Sequence, residues 1–411
     1  MAETLDVYWG TKLTGHLSQG DESRALEFRY SSEWLSDPHA IPISIRLPLR
    51  PEPFDNDACH VFFANLLPEG TPGALIAAKL RVSQGNYFKL LEALGGECAG
   101  ALSILPEGGC ADDKGSYEPL SREELDRMIE EMPRTPLLLA HDDLRLSLAG
   151  AQQKIPVYFE DGRFFLPHGS FPSSHILKPA IPYYDGVVEN EAFCMELARR
   201  AGLPAPASQV EGGKHPFYLV ERYDRRRDEA GRLVRIHQED FCQALGQSFE
   251  RKYEADGGPG LARCFAFLDD HGTQPAADKM TMLRWVVFNY LIGNCDAHAK
   301  NLSMLITPGE YRLSPLYDLL STRVYGQLSP KFAMRLGGQS RSDSVKKENW
   351  TRLAKDAGVG AKAVLDVCGE MGERVPELAR TLAAETGGNE TVAKVLKHVS
   401  AAATKMLGAL R

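Results

Sequence analysis

From Asn294 the chain reads Asn294-Cys295-Asp296-Ala297-His298-Ala299-Lys300-Asn301, then Leu302 to Ile306, Thr307-Pro308-Gly309-Glu310, Tyr311 to Leu313 and Ser314-Pro315-Leu316-Tyr317-Asp318. A polar loop is followed by two short apolar strands joined at a Pro-Gly turn, and then by an isolated second aspartate. The turn sends the chain back on itself, so Asp296, Asn301 and Asp318 can converge on one spot. Two carboxylates and a carboxamide are hard oxygen donors, which suit Mg²⁺ better than zinc. Phosphoryl transfer by a kinase needs this set: one Asp accepts the proton of the attacking hydroxyl, while an Asn and a second Asp hold Mg²⁺ on the ATP phosphates. An Asx turn bonding its own backbone is the plainer alternative. It accounts for the loop but not for the strand pair and Asp318 behind it.

Composition narrows the setting. The 411 residues allow two or three domains, and 43% hydrophobic with 25% charged residues is ordinary for a soluble globular protein. A net charge of −8 argues against broad nucleic-acid binding by the whole surface. The eight cysteines form no C-x-x-C pair and have no metal spacing with His, so they read as reduced thiols of a cytoplasmic protein. The amino terminus carries no basic-then-apolar leader. The most apolar run, Trp285 to Ile292, is far short of a membrane span and contains Asn289.

Residues 1–110 read as a small α+β module. Leu5–Trp9 and Leu13–Leu17 form a hairpin, Leu26–Tyr30 alternates as a strand, and Ile43–Leu47 is extended between prolines. Helices follow at Ala58–Leu67, ended by Pro68-Glu69-Gly70, and at Phe88–Leu94. Gly, Asp, Glu and Ser then make a surface link from Pro106 to Pro136, within which Ser121 and Glu124 form a capping box. A small, flexible stretch, Leu144 to Lys154, leads into the hairpin Ile155–Phe159/Arg163–Leu166, and such a loop can bring backbone N–H groups to phosphates. Lys178 lies within the short strand His175–Pro179. Glu189 and Glu191 open the next helix and are candidates to pair with it, Glu191 preferred. The strand Phe217–Tyr223 runs into Asp224-Arg225-Arg226-Arg227-Asp228, an arginine run that reads as a solvated turn, with a role in holding acidic groups as the alternative. The rest is mainly helical, including Asp278–Ile292 ending at Gly293, then Trp350–Lys355, Ala361–Met371 and Glu390–Leu410. His298 has no second His or Cys at ligand spacing, so it reads as a hydrogen-bonding loop residue.

In order and spacing these pieces resemble the HipA family of bacterial serine/threonine-kinase toxins. The resemblance rests on Ser147-Leu148-Ala149-Gly150-Ala151-Gln152-Gln153-Lys154, His175 to Pro179, Asn190-Glu191, Val220 to Arg225, Gln238 to Gln243, Gly257 to Gly260, Gly293 to Asn301 and Tyr317-Asp318. Phe63 to Gly70 adds the amino-terminal module. It implies a two-lobed, protein-kinase-like α+β fold, with a module over 1–110, an N-lobe region over 111–235 and a helical C-lobe over 236–411. It implies ATP and Mg²⁺ as cofactors, Asp296 as catalytic base, and Asn301 and Asp318 as metal ligands. Lys178 would contact the ATP phosphates, with His298 and Tyr317 also at the nucleotide site. Ala149, Gly150, Ala151, Gln152, Gln153 and Lys154 would form the phosphate loop, and Glu221 and Tyr223 the adenine hinge, where the family commonly has Phe. Ser147 matches the family's autophosphorylated serine. The implied partners are a HipB-like helix-turn-helix antitoxin, operator DNA mainly through that antitoxin, and a protein substrate, an aminoacyl-tRNA synthetase being one the family uses. An aminoglycoside-type phosphotransferase and a non-catalytic co-repressor are the alternative readings.

Overall fold

The computed structural model describes residues 3–20, 24–109, 115–132, 149–150 and 152–410. Ser147 and Ala151 lie outside the described residues. The chain divides into two compact units, one of Met1–Pro179, Glu221–Phe249 and Leu305–Gly309, the other of Ala180–Val220, Glu250–Met304 and Glu310–Arg411.

In the first unit, strands Leu26–Tyr30, Lys12–Gln19, Glu3–Trp9 and Leu102–Pro106 lie side by side in that order. Leu5 faces Leu17, and Val7 faces Gly15 and Ile104, so one sheet face is apolar. The alternation read in Leu26-Glu27-Phe28-Arg29-Tyr30 is the observed burial, with Leu26, Phe28 and Tyr30 inside. Helices Asn56–Ala64 and Tyr87–Leu94 are N-capped by Asp55 and Asn86 and bring Phe62, Phe63, Phe88 and Leu91 into the same core. Helix Gly70–Lys79 was not legible, because Gly70, Pro72 and Gly73 crowd its first turn and no side chain caps it. Gly73 is there for close approach: a Cβ would lie 2.5 Å from the Pro68 carbonyl.

A second set of strands, Gly115–Leu120, Arg163–Gly169, Ile155–Glu160 and His175–Pro179, pairs antiparallel in that order. Asp161 and Gly162, at φ 51° and 73°, make the tight hairpin turn. Gly115–Leu120 falls inside the stretch read as a link, since it is an exposed edge strand containing Pro119.

The second unit is mainly helical. Helix Pro275–Ile292 has a proline in its first turn and ends on Gly293 at φ 71°. A Cβ there would meet His398 Nε2 at 2.4 Å, so the position requires glycine. Ala361–Thr386 and Glu390–Leu410 pack on each other, on Pro275–Ile292 and on Val187–Arg200. The helix expected to stop at Met371 continues through Pro376 to Thr386. Gly372 obscured it, and its role is packing, with Met406 and Leu407 of the neighbouring helix 3.0 Å from where a Cβ would be.

Candidate active site

The loop carrying Asp296 is fastened from below by carboxamides. Asn289, 4% exposed within an otherwise apolar helix face, donates through Nδ2 to the Trp285 carbonyl at 2.9 Å. Its Oδ1 accepts from Asn294 Nδ2 at 2.9 Å. The same Nδ2 reaches the Asp318 carbonyl at 3.3 Å, and Asn294 Oδ1 accepts the Asp296 backbone N–H at 3.0 Å. One buried amide therefore links a helix end, the backbone of Asp296 and the backbone of Asp318. The Cys295 N–H donates to Thr322 Oγ1 at 2.9 Å, and that hydroxyl donates to the Gly293 carbonyl at 3.1 Å. The Asp296 residue itself is left exposed.

Asn301 and Asp318 are brought together. Asn301 Nδ2 donates to Asp318 Oδ2 at 3.0 Å, and Asn301 Oδ1 accepts the His298 N–H at 3.0 Å. Asp318 sits at φ 58°, a left-handed conformation that costs a residue with a Cβ about 1–2 kcal/mol and that Asp tolerates better than most. It is restrained at its carbonyl by Asn294 and at its carboxylate by Asn301. The fold-back between them is closed by Tyr317, whose hydroxyl donates to the Lys300 carbonyl and meets Ser303 Oγ, both at 2.7 Å. The Ser314 N–H also donates to the Ser303 carbonyl at 2.8 Å. His298 is buried, its ring edge-on to Tyr253 at 5.4 Å.

Among the described residues no group of three or more His, Cys, Asp or Glu is arranged to hold a metal. Asn301 and Asp318 nevertheless suit one kind of ion. The Asn301 carbonyl oxygen has two lone pairs and His298 uses one of them. Mg²⁺ is commonly held by one or two protein oxygens, with substrate phosphates and water completing its shell. The pair fits a nucleotide-borne Mg²⁺ and not a free-standing metal cage.

In the first unit, Lys178 is 7% exposed, on the strand where Leu177 faces Ile155. An ammonium so far from water persists only beside anionic or strongly accepting groups. Gly150, at φ 115°, accepts the Glu69 N–H at its carbonyl at 3.0 Å. Lys154 Nζ donates to the Ala149 carbonyl at 2.6 Å, Gln153 Nε2 to the Met132 carbonyl at 2.8 Å, and Gln152 Nε2 reaches the Pro179 carbonyl at 3.5 Å. Glu221 is exposed, and the half-buried Tyr223 donates its hydroxyl to Gln238 Oε1. The arginine run divides between its two readings: Arg226 and Arg227 are exposed as in a solvated turn, while Arg225 is buried and holds an acid, Glu97, at 2.6 Å. In the second unit Glu191 is buried and Glu189 half-buried on helix Val187–Arg200.

The HipA N-terminal domain model matches residues 5–105, and the HipA-like C-terminal domain model matches residues 146–379. The chain belongs to the HipA family. A putative kinase, Y4mE, of Sinorhizobium fredii is 42% identical over 402 residues, covering 96% of this chain and 92% of that protein. The serine/threonine-protein kinase toxin HipA of Shewanella oneidensis is 30% identical over 387 residues, covering 91% and 88%. The solved complex of Shewanella oneidensis HipA with HipB and its operator DNA aligns with a TM-score of 0.88 at 28% identity, over 99% of this chain and 98% of that one. The fold is thus the kinase-like one of HipA. The HipA-like C-terminal match contains Lys178, Glu221, Tyr223, Asp296, Asn301 and Asp318, and the HipA N-terminal match contains Glu69 and Glu97. Among the described residues no helix is long and apolar enough to cross a membrane.

Sequence reasoning missed Asn294 as a brace, and it missed Glu97 and Gln238. Asn289 inside an apolar run was the available signal for the first, since a buried amide there must find a partner. Glu97 gave no local signal, because its partners Ser173, Arg222 and Arg225 lie 76 to 128 residues away.

Proposed function

We propose that this chain is an ATP- and Mg²⁺-dependent serine/threonine protein kinase that acts as the toxin of a toxin–antitoxin module. The observation that carries this reading is the 3.0 Å approach of Asn301 to Asp318, behind a loop that leaves Asp296 exposed. In this reading Asp296 accepts the proton of a substrate hydroxyl as its oxygen attacks the γ-phosphorus and the bond to the bridging oxygen of ADP breaks. Asn301 and Asp318 would hold Mg²⁺, which when bound would neutralise phosphate charge. Lys178 and the 149–154 loop meet the phosphates, and Glu221 and Tyr223 meet adenine. The exposed carboxylate suits a hydroxyl presented by another protein. The three-part division at 110 and 235 is kept as a proposal.

Ser147 is assigned as the autophosphorylation site. Adding about −1.5 to −2 of charge beside a phosphate loop would repel ATP, so the modification would inactivate. A HipB-like antitoxin and operator DNA reached mainly through it are proposed partners, following the composition of the Shewanella complex. The proposed protein substrate is of the aminoacyl-tRNA synthetase kind, and the compartment is the cytoplasm. Incubating the full chain with ATP and Mg²⁺, followed by intact mass and phosphopeptide mapping, tests the reading. One phosphate at Ser147 supports it. Transfer to an aminoglycoside with none to any protein would replace it with the phosphotransferase reading.

A further inference from the structure

The structure assigns to Glu97, in the amino-terminal module, the role of a positioning residue for the nucleotide hinge, acting through Arg222, Asp224 and Gln238 on Tyr223. The inference rests on the hinge reading above.

The chain of contacts is continuous. Glu97 Oε1 accepts from Arg225 Nη2 at 2.6 Å, from Arg222 Nη1 at 3.3 Å, and from the Oγ and N–H of Ser173 at 2.9 and 3.0 Å. Arg222 turns its other edge on Asp224, with Nε to Oδ1 at 3.0 Å and Nη2 to Oδ2 at 2.8 Å, a two-bond fork that fixes both planes. Asp224 Oδ2 also accepts the Gly100 N–H at 2.8 Å and Gln238 Nε2 at 3.2 Å. The far end of Gln238 accepts the Tyr223 hydroxyl. Gly100 stands at φ 78°, and a Cβ there would lie 2.8 Å from the Gln238 backbone nitrogen, so this loop of the module is seated directly on the strand that carries Gln238.

The cluster is almost free of water. The side chains of Glu97, Arg222, Asp224 and Arg225 are 2–3% exposed, and their charges cancel in pairs. Burial alone would raise the Glu97 carboxyl, but the Arg222, Arg225 and Arg235 guanidiniums outweigh it and hold the group down to about 2. His237, bonded by Nε2–H to the Ile43 carbonyl at 2.8 Å, is kept neutral by burial and adds no charge. Arg222 and Asp224, on either side of Tyr223, are both buried and ion-paired, which restrains the backbone between them. Tyrosine has a specific use here, since its hydroxyl completes the relay where phenylalanine would leave Gln238 Oε1 without that donor.

The test is a double-mutant cycle on the full chain, read as KM for ATP against kcat in autophosphorylation. Glu97→Gln is expected to raise KM about tenfold with kcat within about twofold, and Tyr223→Phe to raise KM about threefold. Acting through one chain, the double variant should be no worse than Glu97→Gln alone. Glu97→Asp should recover part of the loss. A merely structural role would lower the active fraction, and so kcat, with KM unmoved; that result, or additive effects on KM, overturns the proposal. If Glu97→Gln does not fold, Gln238→Leu takes its place in the cycle with the same criteria. A wild-type chain that binds no ATP would instead remove the kinase reading itself, so the two failures are distinguishable.

Discussion

Around Tyr223 the backbone is held by ionised side chains that water barely reaches, whereas around Asp296 it is held by carboxamides and hydroxyls while the charged residue stays exposed. The contrast follows from what each carboxylate is for. Glu97 and Asp224 are spent on guanidiniums, which suits them to fix a backbone and unfits them to exchange a proton. A group that must accept a proton near neutral pH cannot be so strongly paired. Asn294 solves that problem by offering an acceptor to the Asp296 N–H and a donor to the Asp318 carbonyl without adding a charge.

The comparison breaks most decisively at Asp296. Asp296→Asn should lower phosphoryl transfer by about a thousandfold or more while leaving ATP binding within a few-fold. Equilibrium nucleotide binding beside single-turnover kinetics measures both. Retained transfer would move the exposed carboxylate out of the chemistry. The buried cluster should fail differently. Glu97→Ala leaves two guanidiniums without their shared acceptor and should cost about 3–5 kcal/mol of stability, read as a lower urea midpoint. The wild-type contribution has a definite pH sign. The folded carboxyl lies at about 2, below its ordinary 4.5, so the stabilisation is full above the ordinary value and disappears as pH falls toward about 2. A difference between wild type and variant that stayed constant from pH 6 to pH 3 would contradict the ionic account.

How much of this was visible in the residue string depended on distance along the chain. The loop from Asn294 to Asp318 was legible because the residues it gathers, Asp296, Asn301 and Asp318, are close neighbours along the chain and the turn between its strands is spelled out by Thr307-Pro308-Gly309. The capping box at Ser121 and the alternation at Leu26–Tyr30 are local in the same sense. Helix Gly70–Lys79 was hidden by residues chosen for close packing and not for helix propensity. The arginine run left two readings open because polarity predicts exposure only when no buried acid awaits it, and Glu97 waits 128 positions upstream of Arg225. A one-dimensional pattern carries periodicity and turn chemistry well, but it carries no record of which distant charge neutralises which.

Asn294→Ala probes the neutral half of the comparison. Its carboxamide makes three hydrogen bonds in a buried position, none of them to a nucleotide or a substrate. Their loss should reduce kcat about 30-fold through misplacement of Asp296 and Asp318, with KM for ATP changed far less. Asn294→Asp should be no better, because a carboxylate keeps the acceptor but loses the donor to the Asp318 carbonyl. Activity in the aspartate variant equal to wild type would show that the donor half of the amide is dispensable.

Glu239 sharpens the contrast at smallest amplitude, because it is a buried acid of the first unit that a hydroxyl and a backbone amide hold in place of a guanidinium. Its carboxylate accepts Ser44 Oγ–H at 2.6 Å and the Ile45 N–H at 3.0 Å. Burial, aided by the charge of Asp240, outweighs those donors and pushes it up to about 7. The linkage sign is opposite to that of Glu97. Below the ordinary value of 4.5 the group is protonated in both folded and unfolded chains and contributes nothing; between 4.5 and about 7 the unfolded chain ionises first, and stability is lost as pH rises. Glu239→Gln keeps an acceptor for Ile45 and cannot ionise, so it should be about 1–2 kcal/mol more stable than wild type at pH 8 and indistinguishable from it at pH 4. Urea midpoints at the two pH values decide it. A variant less stable at both would mean that the hydrogen bonds to Ser44 and Ile45 matter more than the cost of burying the charge.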